Sequence, residues 1–390
     1  MALPAGVPET HPAVVTTAPR APLSIISCPT QAPGAGEVLV RVEWTSSTPL
    51  DLHRADGGLA ITKYPFFMGS SFAGAVVALG PPPPTALPPL RDAIRELHVG
   101  DKVFGFTPPA AAEGTFRTYL TVQVWAVSKL LPQSKLTLQE AVTVPTNLVT
   151  VFEVATTDFG LQLPWPIPEG WEPPQAAAPI LIWGAASSVG LYAVQVFRRW
   201  GYRNILAVAS GKHHDSLRAL GAKACFDYRQ PDVLDKILAH VSRLESSGPK
   251  VPFVLDCIAS TEETLRPLAK IAERGTKVAI LLPVIYVHAS EHNPPVYEGD
   301  VNKVLVDEWK EGVELRGTRA NLYHEKSDFF RDHLQPEIVP TLLEQGVVQP
   351  NKQRIIEGKT LLERAQNALN TLRSRAQSAE KLVWRVADNE

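Results

Sequence analysis

Between residues 36 and 45 apolar and polar side chains alternate, GEVLVRVEWT, as in a half-buried antiparallel strand. Short apolar runs follow at 72–79, 102–106 and 116–122, separated by Gly, Pro and Asp turn signals and without a helical period. The first third of the chain therefore reads as a compact β domain. Near residue 138 the pattern changes, and LQEAVTVPTNLVTVFEVATT predicts helical segments interrupted at Pro145, with a domain crossover there. From residue 179 the apolar runs ILIW, NILAVA, ACFDY, FVLDCI and KVAILL alternate with amphipathic helices such as SVGLYAVQVFRRW and DVLDKILAHVSRL. Such alternation predicts a buried parallel sheet with right-handed crossovers, a doubly wound α/β architecture. After about residue 328 two more helices are expected, through IVPTLLEQG and LLERAQNALNTLRSR. The last apolar strand, KLVWRV, most simply returns to the first domain.

A chain of 390 residues exceeds what one hydrophobic core usually serves. The expected division is a β domain from 1–147 with 325–390, and a parallel-sheet domain from 148–324. Hydrophobic residues make up 45%, charged residues 20%, and the net charge is −2, which leaves no electrostatic drive toward nucleic acid or anionic lipid. The amino end has neither a basic nor an apolar leader region, and no run reaches the ~18 apolar residues of a membrane span, so a cytoplasmic protein is expected. Cys28, Cys225 and Cys257 are too few and too scattered for a disulfide framework or a metal knuckle, and are expected to be reduced small hydrophobes. The 35 prolines gather at the amino end, at 81–89 and at 164–179, marking loops. Residues 81–98, PPPPTALPPLRDAIRELH, read as a polyproline approach and a short helix.

The stretch 180–190, ILIWGAASSVG, ends a strand in a small-residue turn and opens a helix. Backbone N–H groups and the helix dipole there suit a dinucleotide pyrophosphate. Gly184 and Gly190 take the first and third glycine places of the fingerprint, with Ser187 in the middle place and one residue more than usual before it. The plainer reading is a turn that only packs helix on strand. The second strand ends in Ser210, Gly211 and Lys212, where an NAD-binding chain would carry an acid. A hydroxyl, a free amide and an ammonium favour the 2′-phosphate of NADPH, and Tyr228 could stack on adenine or reach that phosphate. Lys212 also fits an ordinary solvated lysine. Asp256, ending the fourth strand, is expected to bind the amides of the next turn.

The motifs GEVLVRV, TPLDLH, YPFFMGSSFAGAVVALG, VGDKVFGF, EGTFRTYL, LQEAVTVP, ILIWGAASSVGLYAVQ, LRALGAKACFDYR and AEKLVWRV resemble zinc-free medium-chain dehydrogenases/reductases, over about residues 14–386. The proline-rich LQLPWPIPEGWEPP and SGKHHDSLRALGA are similar to fungal trans-acting enoyl reductases, partners of polyketide synthases. The resemblance implies a GroES-like β domain beside a Rossmann domain. It implies that Ala186, Ser187, Ser188 and Val189 contact the pyrophosphate, that Ser210, Lys212 and Tyr228 hold the adenosine phosphate, and that Leu281 and Leu282 flank the nicotinamide. Zinc-dependent relatives carry a cysteine where this chain has Thr48 and a His-Glu pair where it has Ser70 and Ser71, and three cysteines cannot make a four-thiolate lobe, so no metal is expected. Fungal enoyl reductases often carry lysine where this chain has His53.

Hydride transfer requires a stacked nicotinamide and stabilisation of the oxyanion that forms. Without zinc the donors must be side chains, and Tyr64, Thr48, Thr146 and Asn147 come from segments that in this family face the cleft. Tyr64 could also be a half-buried loop residue, and Asn147 a helix cap. His213, His214, His288 and His292 match no metal pattern. The resulting expectation is NADPH-dependent reduction of a polarised C=C bond in an enone, enoyl thioester or quinone. The substrate would be a small molecule, carrier-bound and CoA thioesters included, and the protein a monomer or homodimer. The alternatives are a zinc-free aldehyde or ketone reductase and a non-catalytic NADPH-binding sensor.

Overall fold

The computed structural model describes residues 3–82, 96–107, 114–244 and 248–387, so most of the insertion expected over 81–98 lies outside the described residues. The chain forms two compact units, Met1–Thr146 with Ala289–Pro294 and Asn321–Glu390, and Asn147–His288 with Pro295–Ala320.

The first unit begins with β1 (Thr10–Thr16), β2 (Ser24–Pro29), β3 (Glu37–Ser47), α1 (Pro49–Gly57), β4 (Phe66–Phe67) and β5 (Ser71–Leu79). It continues through β6 (Lys102–Phe106), β7 (Tyr119–Gln123), β8 (Val127–Lys129) and α2 (Leu138–Ala141). β3 is the hub: it pairs antiparallel with β5, β7 and the carboxyl-terminal strand. Within it Arg41 alone is exposed and Leu39 is as buried as Val38 and Val40, so both faces are covered rather than one. Val38, Val40, Val42, Phe72, Val103, Leu120 and Trp384 form one apolar core.

The amino end corrects the expectation of loops. β1 pairs with β2 from Thr10↔Pro29 to Val15↔Ser24 and with β4 only at Val15 and Thr16. On its other side β1 meets Arg117 only at an isolated bridge from Ala13, so the missing N–H of Pro12 interrupts no continuous second ladder. Nor is Cys28 a plain hydrophobe: its Sγ lies 3.3 Å from His11 Nε2. Burial, helped by Arg117, lowers His11 to about 4, so the ring is neutral.

α3 (Pro145–Glu153) leads into the second unit, where β9 (Pro179–Trp183), α4 (Ser188–Arg199), β10 (Asn204–Val208), α5 (His214–Leu220) and β11 (Ala224–Phe226) follow in turn. Then come α6 (Val233–Val241), β12 (Phe253–Asp256), α7 (Arg266–Ile271), β13 (Lys277–Leu281), β14 (Val284–Val287), β15 (Val296–Glu298) and β16 (Glu314–Thr318). The sheet order is β11-β10-β9-β12-β13-β16, parallel throughout, so the winding reverses between β9 and β12. Leu181, Val208, Val254, Leu268, Val278 and Ile280 fill the core on one face. The sixth strand and the β14–β15 hairpin were not foreseen. β16, ELRGT, has one large aliphatic side chain and pairs only with β13, so as an edge it needs no continuous apolar run.

The chain closes in the first unit with α8 (Tyr323–Lys326), α9 (Asp328–His333), α10 (Val339–Glu344), β17 (Gln353–Ile355), α11 (Leu361–Arg373) and β18 (Lys381–Arg385). β18 does return to the β domain, pairing with β3 from Leu382↔Ser47 to Arg385↔Trp44. Among the described residues no helix is long and apolar enough to cross a membrane.

Candidate functional site

In the second unit the sequence-predicted cofactor positions fall on the carboxyl edge of the parallel sheet, where open α/β sheets bind ligands. Gly184, with φ +76°, follows β9, and its N–H and that of Ala185 bind Val208 O at 3.1 and 3.0 Å. A side chain at Gly184 would meet Ile258 Cγ1 at 2.7 Å, across the point where the winding reverses. Ser187 N–H binds Gly184 O at 2.8 Å, and Ser187 caps α4, its Oγ accepting the Gly190 N–H at 3.2 Å. The middle fingerprint place is thus filled by a capping hydroxyl turned into the helix. Ala186 and Ser188 are half-buried and Val189 is buried at the helix entry. Cys257 stands behind this turn, where burial pushes its thiol far up against the opposing hydrogen bond of Ser187, so no thiolate competes for an anion's place.

The turn after β10 differs from the expectation in one respect. The Gly211 amide is not free: it donates to Asp227 Oδ2 at 3.0 Å. An acid is therefore present at this turn, supplied by the third strand rather than the second. Arg229 covers it, Nε to Oδ1 at 3.0 Å and Nη2 to Oδ2 at 2.7 Å, and these bonds hold the Asp227 carboxyl well below the usual range. Ser210 is half-buried, Lys212 exposed and Tyr228 51% exposed, open enough to stack on a planar ligand. Asp227 and Arg229 were missed; the acid-aromatic-base run after the third strand was the available signal. Leu281 ends β13, and Leu282 leans on Gly317 of β16.

In the first unit, the hydroxyls divide. Ser46 and Ser71 face each other across β3 and β5, and Ser71 Oγ hydrogen-bonds Thr146 Oγ1. Ser46 Oγ donates to Val142 O at 3.2 Å, and Thr45 Oγ1 to Ser71 O at 2.6 Å. Ser70, 1% exposed, has an Oγ with no hydrogen-bond partner among the described residues. Thr48 is committed elsewhere: it caps α1, its N–H on Asp51 Oδ2 at 2.8 Å and its hydroxyl on the same oxygen at 3.3 Å. Burial pushes the Asp51 carboxyl up, opposed by the Thr48 amide, Arg54 and Lys381, and burial lowers Lys381 to about 8.

Tyr64 belongs to the other end of α1, its Oη 3.1 Å from where a Gly58 side chain would begin. A helix of 9 residues separates those ends by ~13 Å, so Tyr64 and Thr48 do not form one donor set. Asn147 is the third residue of α3 and not its cap. No three His, Cys, Asp or Glu side chains come together as a metal site among the described residues.

Residues 34–151 match the model of the alcohol dehydrogenase GroES-like domain. The chain is 35% identical to the trans-enoyl reductase tndF of Aspergillus flavipes over 239 residues, 60% of this chain and 64% of that protein. It is 32% identical to the trans-enoyl reductase tazE of Aspergillus terreus (strain NIH 2624 / FGSC A1156) over 234 residues, 60% of this chain and 73% of that one. The chain belongs to the medium-chain dehydrogenase/reductase family. The solved quinone oxidoreductase of Coxiella burnetii has the same fold, with a TM-score of 0.67 at 19% identity over 97% of this chain and 100% of that one.

Within this medium-chain fold Asp256 has the structural place expected of it. Its Oδ1 accepts the amides of Ile258 and Ala259 at 2.9 and 3.1 Å, and its Oδ2 the Thr264 hydroxyl at 2.6 Å. Burial pushes the carboxyl up to about 6 in spite of these bonds. The folded state therefore holds an extra proton between the unfolded value near 4 and about 6, and stability is lost as pH rises through that window, by up to about 3 kcal/mol. Asp256→Asn keeps an acceptor for the amides and removes the buried charge. Its urea midpoint relative to the parent should be higher at pH 7.5 than at pH 4.5; an unchanged difference would refute the assignment.

Proposed function

We propose that the chain is a zinc-independent, NADPH-dependent reductase of polarised C=C bonds in an enone, enoyl thioester or quinone, including carrier-bound and CoA thioesters. The observation that carries the reading is the capped helix entry at Ser187–Gly190 beside the turn at 210–212, which carries Lys212 and has Arg229 covering its acid, on one edge of the sheet. When bound, NADPH supplies the hydride. The α4 amides, with Ala186, Ser187, Ser188 and Val189, would hold the pyrophosphate, and Ser210, Lys212 and Tyr228 the adenosine phosphate, joined by Arg229. Leu281 and Leu282 would flank the nicotinamide. In the first unit, the hydroxyl pair Ser71 and Thr146, joined by a hydrogen bond, would supply the donor toward an enolate oxygen. The names of the Aspergillus relatives, trans-enoyl reductases, support C=C over C=O reduction. Zinc independence is supported by residue type, since Thr48, Ser70 and Ser71 stand where zinc relatives place thiolate and imidazole. A cytoplasmic monomer or homodimer, without nucleic acid or membrane partners, completes the reading.

The test is titration of metal-analysed protein with NADPH and then NADH, followed by an acceptor panel read through loss of reduced-nicotinamide absorbance and product analysis. Saturated carbonyl products support the reading; alcohol products would replace it with carbonyl reduction, and binding without turnover with a sensor. Thr146→Val should lower kcat about 10- to 100-fold with NADPH affinity unchanged. Equal loss of affinity would move Thr146 out of the reaction and into cofactor binding.

A further inference from the structure

β11 lies beside β10 with Phe226 opposite Val208, so the residue after β11 meets the turn after β10 although the two are 16 positions apart. That residue is Asp227. Its two oxygens receive the Gly211 amide at 3.0 Å, the Arg229 amide at 3.1 Å, and both arms of the Arg229 guanidinium. With Lys212 and Arg229 set against Asp227, the surplus charge at this turn is positive; burial first, then Lys212, His214 and Arg229, disfavour protonation of the neighbouring His213.

A carboxylate in this part of a dinucleotide fold is the group that accepts the ribose 2′-hydroxyl of NADH. Here one is present, yet a two-pronged guanidinium and two amides occupy it. We infer that the Asp227–Arg229 pair selects the cofactor: Arg229 masks an acid that would favour NADH and turns the rim of the turn positive toward a 2′-phosphate. Asp227 is the positioning residue, fixing the Gly211 turn and the plane of the guanidinium; Arg229 is the specificity residue. The inference rests on the NADPH reading and adds to it the residue that decides the choice.

The full-length protein, Arg229→Ala, and the Arg229→Ala/Asp227→Asn double variant would be titrated calorimetrically with adenosine 2′,5′-bisphosphate and with 5′-AMP, which differ only in the 2′-phosphate. The same proteins would be assayed for kcat/KM with NADPH and NADH. Arg229→Ala should weaken the bisphosphate on the order of 10- to 100-fold while strengthening 5′-AMP, and should shift kcat/KM in the same two directions. Adding Asp227→Asn should cancel the gain for 5′-AMP and NADH. A merely structural pair would weaken both ligands alike, and that result overturns the inference, as does an unchanged bisphosphate affinity. If the parent protein itself binds the two ligands equally, the NADPH reading has failed first.

Discussion

Replacing Gly190 by alanine should weaken NADPH binding at least about 100-fold, a loss of roughly 2.7 kcal/mol, while the β unit stays folded. A Cβ at this position would stand 2.6 Å from Ala185 Cα and 2.7 Å from the carbonyl oxygens of Gly184 and Ala185. These are backbone atoms of the turn itself, so no side chain can rotate aside. The turn would have to move away from α4, and the amides at the helix entry would lose the alignment that binds an anion. Overpacking of this kind also costs about 1–3 kcal/mol of stability. Ser187→Ala is the control: it removes the cap on the Gly190 amide, at about 1 kcal/mol, and introduces no clash. Fluorescence titration of both variants with NADPH separates the two effects. Near-parental binding by Gly190→Ala would mean that the turn does not approach the cofactor.

The parallel sheet was legible because its strands are buried on both faces and its helices on one, which forces two contrasting periods into the sequence. Where burial was partial the signal faded. β16 is an edge strand with a glycine and two charges, and β1 carries Pro12 beside an isolated bridge rather than a second continuous ladder. The candidate site was legible where a motif is local, as in the run from Gly184 to Gly190. It was not legible where chemistry is assembled across strands: Asp227 reaches Gly211 through the β10–β11 pairing, and no spacing rule reports that contact. Thr48 shows the complementary error. A threonine two places before a helical leucine and three before an aspartate is a capping box, and its hydroxyl is used by Asp51.

Asp56→Ala should destabilise the first unit by about 3 kcal/mol, near the lower end of the range for breaking a buried ion pair. Asp56 lies on α1, 3% exposed, and takes a two-pronged bond from Arg373 on α11, Nε to Oδ2 at 2.8 Å and Nη2 to Oδ1 at 2.7 Å. Arg20 adds its charge at 3.8 Å, and the same guanidinium donates to the carbonyls of Ser290, Glu291 and Asn293 at 3.1, 2.7 and 2.8 Å. One carboxylate therefore joins the first helix to the last, 317 positions apart, and braces the arginine that clasps the 289–294 segment. Removing it leaves two partly covered guanidinium groups facing each other, a penalty larger than the lost attraction alone. Arg373→Ala should cost less than Asp56→Ala, because Arg20 still offsets the remaining charge. The double variant should cost less than the sum of the two single changes, since their shared contact is counted once. Urea unfolding of the three proteins measures each value, and a loss under about 1 kcal/mol for Asp56→Ala would reduce the network to an ordinary surface pair.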